Sequence, residues 1–296
     1  MATDNDNISS VLDYVVRVKE ITCKLKGCGD DILLFRGHAK EDYELKPSLF
    51  REGNEKIRDR EAESIRRIEI AHPRELAGMS MLDKLAMLQH YEFSTRLLDF
   101  SFNPLVGLFF ASNSHKDENG AVIICRVVKN EIMKFDSNVV KALASLAVFP
   151  MYLKNELSKY GRHQLLLAFK QSIFSGGYVS RTNEEEKIDE VLLFQARTAK
   201  HFLPPEVKGE IDLLTPIFVE TKLLNPRIVS QKGAFLLFGL SDEFPESIQC
   251  EEIIIPAQYK ATIISELEQF GIDDSIMFPG FEHFLLSLRE KMKRGE

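Results

Sequence analysis

Polar residues able to bind or transform a ligand gather at two places in the first third of the chain. One is Arg36-Gly37-His38; the other runs from Gln89 and His90 through Ser94, Thr95, Arg96 and Asp99 to Asn103. Arg36 follows the apolar run at residues 31–35, which reads as a buried strand. A guanidinium at such an edge is costly unless it meets a carboxylate of the protein or an anionic ligand. Gly37 lets the backbone turn or come close to another element directly after it. Most of these residues also have a purely structural use. Arg36 and Asp99 could form a buried ion pair, Arg96 could face solvent or pair with an acid elsewhere, and Asn103 could cap a helix. Gln89 and His90 could bond the last carbonyls of their own helix.

The elements that must position these groups follow from pattern. Ser80 caps a helix that carries Leu82, Leu85 and Leu88 inward and ends near Gln89 and His90. Residues 93–99 read as a short strand, and Asn103-Pro104 opens an apolar helix over 105–111. Upstream, Val11, Tyr14, Val15, Val18, Ile21 and Leu25 recur at helical spacing before Gly27 and Gly29, so 1–30 holds an N-terminal helix. Residues 43–51 are extended around Pro47, 54–72 form a charged surface helix, and 121–128 form a central strand. Three helical patterns, at 137–149, 153–173 and 184–201, make 134–201 a helical insertion. Strands are expected at 216–220, 227–230, 234–240 and 251–255, then helices at 258–270 and 281–293. The sum is one α+β domain over 1–296: a twisted mixed sheet with flanking helices, and a central cleft where Arg36 meets the strand at 94–99.

Composition narrows the function classes. The 296 residues are 44% hydrophobic and 28% charged, with a net charge of −7, the balance of a soluble globular protein. The acidity argues against a surface dedicated to nucleic acid. No apolar run reaches the roughly 18 residues of a membrane span, and the polar start is unlike a secretory signal. Cys23, Cys28, Cys125 and Cys250 lack paired metal-ligand spacing and read as reduced thiols of a cytoplasmic protein. His38 and His90 suggest no third ligand, so no bound metal is expected. There is no Gly-x-Ser-x-Gly elbow, phosphate loop or His-Glu-x-x-His.

Phe35-Arg36-Gly37, Gln89-His90-Tyr91, the Thr95 to Asp99 run and Asn103-Pro104 together resemble the FRG-domain family, a bacterial and phage-associated group. Arg227-Ile228 with Gln231, Gly233 and Phe235 resembles its later motif, as do Gly271-Ile272 and Phe278-Pro279. The sequence departs from the family pattern at Ser94, commonly proline, and at Glu92, commonly glycine. The resemblance implies an effector or toxin, with a role in phage defence.

A more distant resemblance, to NAD-dependent ADP-ribosyltransferases of the arginine type, rests on Arg36, Ser94-Thr95 and a late-strand glutamate occurring in that order. It implies NAD as substrate, Arg36, Thr95 and Glu252 as catalytic residues, and an ADP-ribosyltransferase-like fold. NAD contacts would then come from Arg36, Gly37, His38, Gln89, His90, Ser94, Thr95, Arg96, Asp99, Asn103 and Gln231. The acid would stabilise the cationic sugar as its glycosidic bond breaks. Glu251 and Glu252 alternate in facing, so only one can line a cleft. Gln231 could stand there in their place, and an amide is neither a base nor a negative charge. Hence a second reading: a non-catalytic module that senses a nucleotide, a phage protein or another ligand. The acceptor of any transferred group is not specified by the sequence.

Overall fold

The computed structural model describes residues 8–25, 31–159, 213–220, 222, 226–279 and 292. Seven strands form one mixed sheet: β1 (Asp31–His38), β2 (Leu97–Ser101), β3 (Gly120–Val128), β4 (Met133–Lys134), β5 (Ile217–Glu220), β6 (Gly233–Leu237) and β7 (Cys250–Ile255). Their order is β4-β5-β6-β2-β1-β3-β7. Only β4 and β5 run parallel; every other neighbouring pair is antiparallel.

Strand alternation sorts the core into layers. Leu33, Phe35, Val122, Ile124, Ile253 and Ile255 point to one face, where they pack beneath α1 (Val11–Leu25), α5 (Pro104–Ser112) and a late helix at Lys260–Gln269. Leu97, Val219, Phe235 and Leu237 continue that face under α3 (Glu61–Ala71), α4 (Met81–His90) and α6 (Asn138–Ser145). The opposite face carries Leu34, Leu98, Phe100, Ile123 and Leu236, covered by Leu45, Phe50, Phe244 and Ile248 from irregular segments. The longer helices α1, α3, α4, α5 and α6 therefore share one side of the sheet.

In this layering α5 lies almost directly on β1. A Cβ added at Gly37 would stand 2.1 Å from the Gly107 carbonyl oxygen and 2.6 Å from the Ala111 nitrogen. Both obstacles are backbone, so neither can swing aside. Gly37 is thus needed for contact, and the helix it admits is the one Asn103 caps, its side chain accepting from the Leu105 N–H at 3.0 Å.

Several expectations are corrected. The strand expected at 93–99 begins only at Leu97, because Thr95 spends its backbone N–H and carbonyl on Ser48 and Leu49 in the loop after β1. The expected strand at 227–230 is a short helix, Pro226–Ser230, where proline suits the first helical position. The single helix expected over 54–72 is broken at Arg60 into α2 (Glu55–Asp59) and α3. Cys125 and Cys250, directly opposed on β3 and β7, are joined as a disulfide and not reduced thiols; Cys23 is free. Of the expected insertion at 134–201, α6 and α7 (Met151–Lys159) are seen. The patterns at 184–201 and 281–293 fall outside the described residues, Met292 excepted. No helix among those residues is long and apolar enough to cross a membrane.

Arg96 is buried in an ion cluster. Its Nε donates to Glu61 Oε1 at 2.9 Å and its Nη1 to the Gly239 carbonyl at 2.8 Å, while Lys154 Nζ donates to Glu61 Oε2 at 2.6 Å. Burial brings Lys154 down to about 8, against the charge of Glu61 and with that of Arg96.

Two stability outcomes follow. Gly37→Ala should lose at least about 3 kcal/mol, since overpacking against immobile backbone lies at the upper end of its usual cost. Glu61→Gln should lose about 3–5 kcal/mol by leaving two buried cations undercompensated. Urea unfolding of the two variants checks both; wild-type midpoints would refute them.

Candidate functional site

β1 pairs with β3 along its whole length, but with β2 it shares one bridged pair, Phe35 opposite Ser101. Beyond that bridge the sheet is split. Arg36 crosses the split: its Nη1 donates to the Asp99 backbone carbonyl at 2.7 Å, taking the place of a ladder bond, and its Nε donates to His38 Nε2 at 3.0 Å. The hydrogen bond assigns the remaining hydrogen of the neutral His38 ring to Nδ1. Nη2 has no protein partner among the described residues.

A cavity of about 300 Å³ opens along this split. Its helix-side wall is Gln89, Asp99, Val106, Gly107 and Phe110; Arg36, Ser48 and Arg51 face it from the other side, and Gln231 and Glu92 complete it. A smaller neighbouring hollow of about 20 Å³ shares Gln89, Asp99 and Gln231 and adds His90.

A relay fixes the acid. Thr95 Oγ1 donates to Gln89 Oε1 at 2.6 Å, which orients the amide so that Nε2 donates to Asp99 Oδ2, also at 2.6 Å. Asp99 is thereby aimed by α4, and Thr95 acts through Gln89. The loop after β1 is stitched to the same place: the Thr95 N–H donates to Ser48 Oγ and the Leu49 N–H to the Thr95 carbonyl, each at 3.1 Å. That brings up Arg51, whose Nε is steadied by the Lys46 carbonyl at 3.0 Å. Gln231 is held by its own backbone, which accepts from Ser101 Oγ at 2.6 Å, and by its amide, which donates to the Met277 carbonyl at 2.9 Å.

The local field is cationic on one side. Burial brings the Arg36 guanidinium down to about 10; the Asp99 charge opposes this and the Arg51 charge adds to it. His38 is pushed down to about 3, chiefly by burial and then by Arg36 and Arg51, so it is neutral at ordinary pH.

Of the residues proposed from sequence, Arg36, Gly37, Gln89, Asp99 and Gln231 line the larger cavity, and His90 lines the smaller one. His38 supports Arg36, Thr95 supports Gln89, and Asn103 caps α5. Ser94 is half-buried outside both cavities. Arg96 is committed to Glu61. Arg36, Ile123 and Glu252 form one row across β1, β3 and β7, which sets Arg36 and Glu252 roughly 10 Å apart. Glu252 is exposed there, its carboxyl raised by partial burial and then by Glu41. Glu251 points to the helix side and pairs with Lys24 at 2.6 Å. Arg51, Ser48 and Glu92 were not anticipated as site residues. The signal for Arg51 was the Pro47-stiffened segment directly after β1; for Glu92 it was an acid standing where the related pattern has glycine, and its φ is indeed 60°. Among the described residues no three His, Cys, Asp or Glu side chains converge as a metal would require.

Residues 31–120 match the FRG domain family. No curated protein and no solved structure matches the chain. The matched segment contains every residue lining the larger cavity except Gln231.

His38 gives a pH test. Its folded value lies below the ordinary 6.5, so below that pH the unfolded chain binds more protons than the folded one. The contribution is complete above pH 6.5 and is lost as pH falls towards about 3. His38→Gln should unfold in urea with a shallower acid dependence across that window; an unchanged slope would contradict the neutral, Arg36-bonded ring.

Proposed function

We propose, from the match of residues 31–120 to the FRG domain family, that the chain is a recognition module for a small nucleotide-like anion, held in the split between β1 and β2. The observation that carries this reading is Arg36: a cation at the sheet's centre, bonded only to neutral groups, with Nη2 open beside a second cation, Arg51. Two guanidiniums at a partly dry pocket suit a phosphate or carboxylate, which they can grip through several N–H groups at once. NAD, the ligand implied by resemblance, fits that chemistry through its diphosphate. Recognition is favoured over transfer because the late-chain group in the pocket is the amide of Gln231, which can hydrogen-bond but cannot act as a base. As an effector or in phage defence, such a module would act through what it senses.

One observation favours the transferase alternative: Asp99, an acid held by Gln89, lines the pocket and could take the electrostatic role assigned to Glu252 by resemblance. The two readings separate cleanly. Isothermal titration with NAD and with pyrophosphate should give saturable binding, weakened at least about tenfold in Arg51→Ala, as loss of a charge-assisted contact predicts. Arg51 is exposed, so the melting temperature should not change. Nicotinamide release from NAD that disappears in Asp99→Asn would establish the transferase or glycohydrolase; absence of binding to either probe would count against the pocket as an anion site.

A further inference from the structure

Four ionised side chains line one cavity: Arg36 and Arg51 as cations, Glu92 and Asp99 as anions. Opposite charges sharing so small a space ordinarily close into ion pairs, most strongly where burial thins the water, as it does at half-buried Arg36 and Asp99, with Arg51 and Glu92 at the exposed rim. Here none of the four side chains pairs with another. Arg36 is tied to His38 and to the Asp99 backbone, Asp99 to the Gln89 amide, and Arg51 to the Lys46 carbonyl. Glu92 is held at the end of α4 by a left-handed turn, with φ at 60°, a conformation that fixes where its side chain departs. Both signs of charge are therefore presented to the cavity by neutral tethers, not cancelled within the protein.

We infer that the ligand of this pocket is a zwitterion. Its anionic group faces Arg36 and Arg51, and a cationic or strongly donating group faces Asp99 and Glu92. A purely anionic ligand would satisfy the arginines while being repelled by the two acids, and a purely cationic one would do the reverse; a molecule carrying both satisfies all four. The inference rests on the reading of the pocket as a binding site and adds the class of molecule it selects.

Two pairs of probes test it on the full chain by calorimetry at low salt. NAD and NADH share their diphosphate and carboxamide and differ in the positive charge of the nicotinamide ring. Phosphoethanolamine differs from inorganic phosphate by an attached ammonium. In at least one pair the zwitterionic member should bind about tenfold more tightly, a difference of about 1.4 kcal/mol. Asp99→Asn, which keeps an acceptor for Gln89, and Glu92→Gln should each shrink that ratio, while Arg51→Ala should weaken both members alike. If the anion-only members bind as well as or better than their partners, and Arg51→Ala still weakens them, the zwitterion inference is overturned and the pocket reading stands. If no probe binds, both fall.

Discussion

The contact on which this structure depends is α5 lying directly on β1, backbone against backbone at Gly37. It fixes β1 against the helical layer, and with β1 it fixes the residue that precedes Gly37. Strand alternation then turns Arg36 away from α5, while the split from β2 gives its guanidinium somewhere to go. Any side chain at position 37 would have to push α5 outward, and α5 supplies one wall of the cavity through Val106, Gly107 and Phe110. Packing and binding are in this way one constraint read twice: the residue that allows the helix to dock also determines where the arginine stands.

The second organising device is a set of neutral tethers. In a protein interior, ions usually find ions; Arg96 and Glu61 do so here. Arg36, although nearer the middle of the sheet, is bonded by an imidazole and a carbonyl. The difference shows how two arginines of one sheet acquire opposite roles. One is fully matched inside the protein and ties α3, α7 and the start of β2 together; the other keeps part of its bonding capacity open.

Much of this was legible in the sequence. The helix over Leu82, Leu85 and Leu88, its Ser80 cap and the Asn103 cap of α5 are governed by neighbours within four residues, and all are found. Arg36 was legible as a cation at the end of a buried strand. What could not be read depends on distance along the chain. Glu61 meets Arg96 across 35 residues and Lys154 meets Glu61 across 93, with no local pattern to announce it. Arg51 reaches the cavity because a loop is pinned to Thr95. The false strand at 227–230 shows the opposite failure: β-branched residues suggested extension, and the proline before them set a helix. The late acid Glu252 lies in the same row as Arg36, but order along the chain could not tell that the opening lies between β1 and β2, on the side of β1 away from β7.

The disulfide has a topological consequence. Cys125 and Cys250 stand 125 residues apart, and between them the chain makes β4, β5 and β6, the flank of the sheet beyond β2. Joined at its base, that stretch is a covalent ring through which the two halves of the molecule remain linked by more than their packing. A single backbone cut anywhere within it would open the ring and still leave one molecule, with β7 and everything after it fastened to the strand beside Arg36.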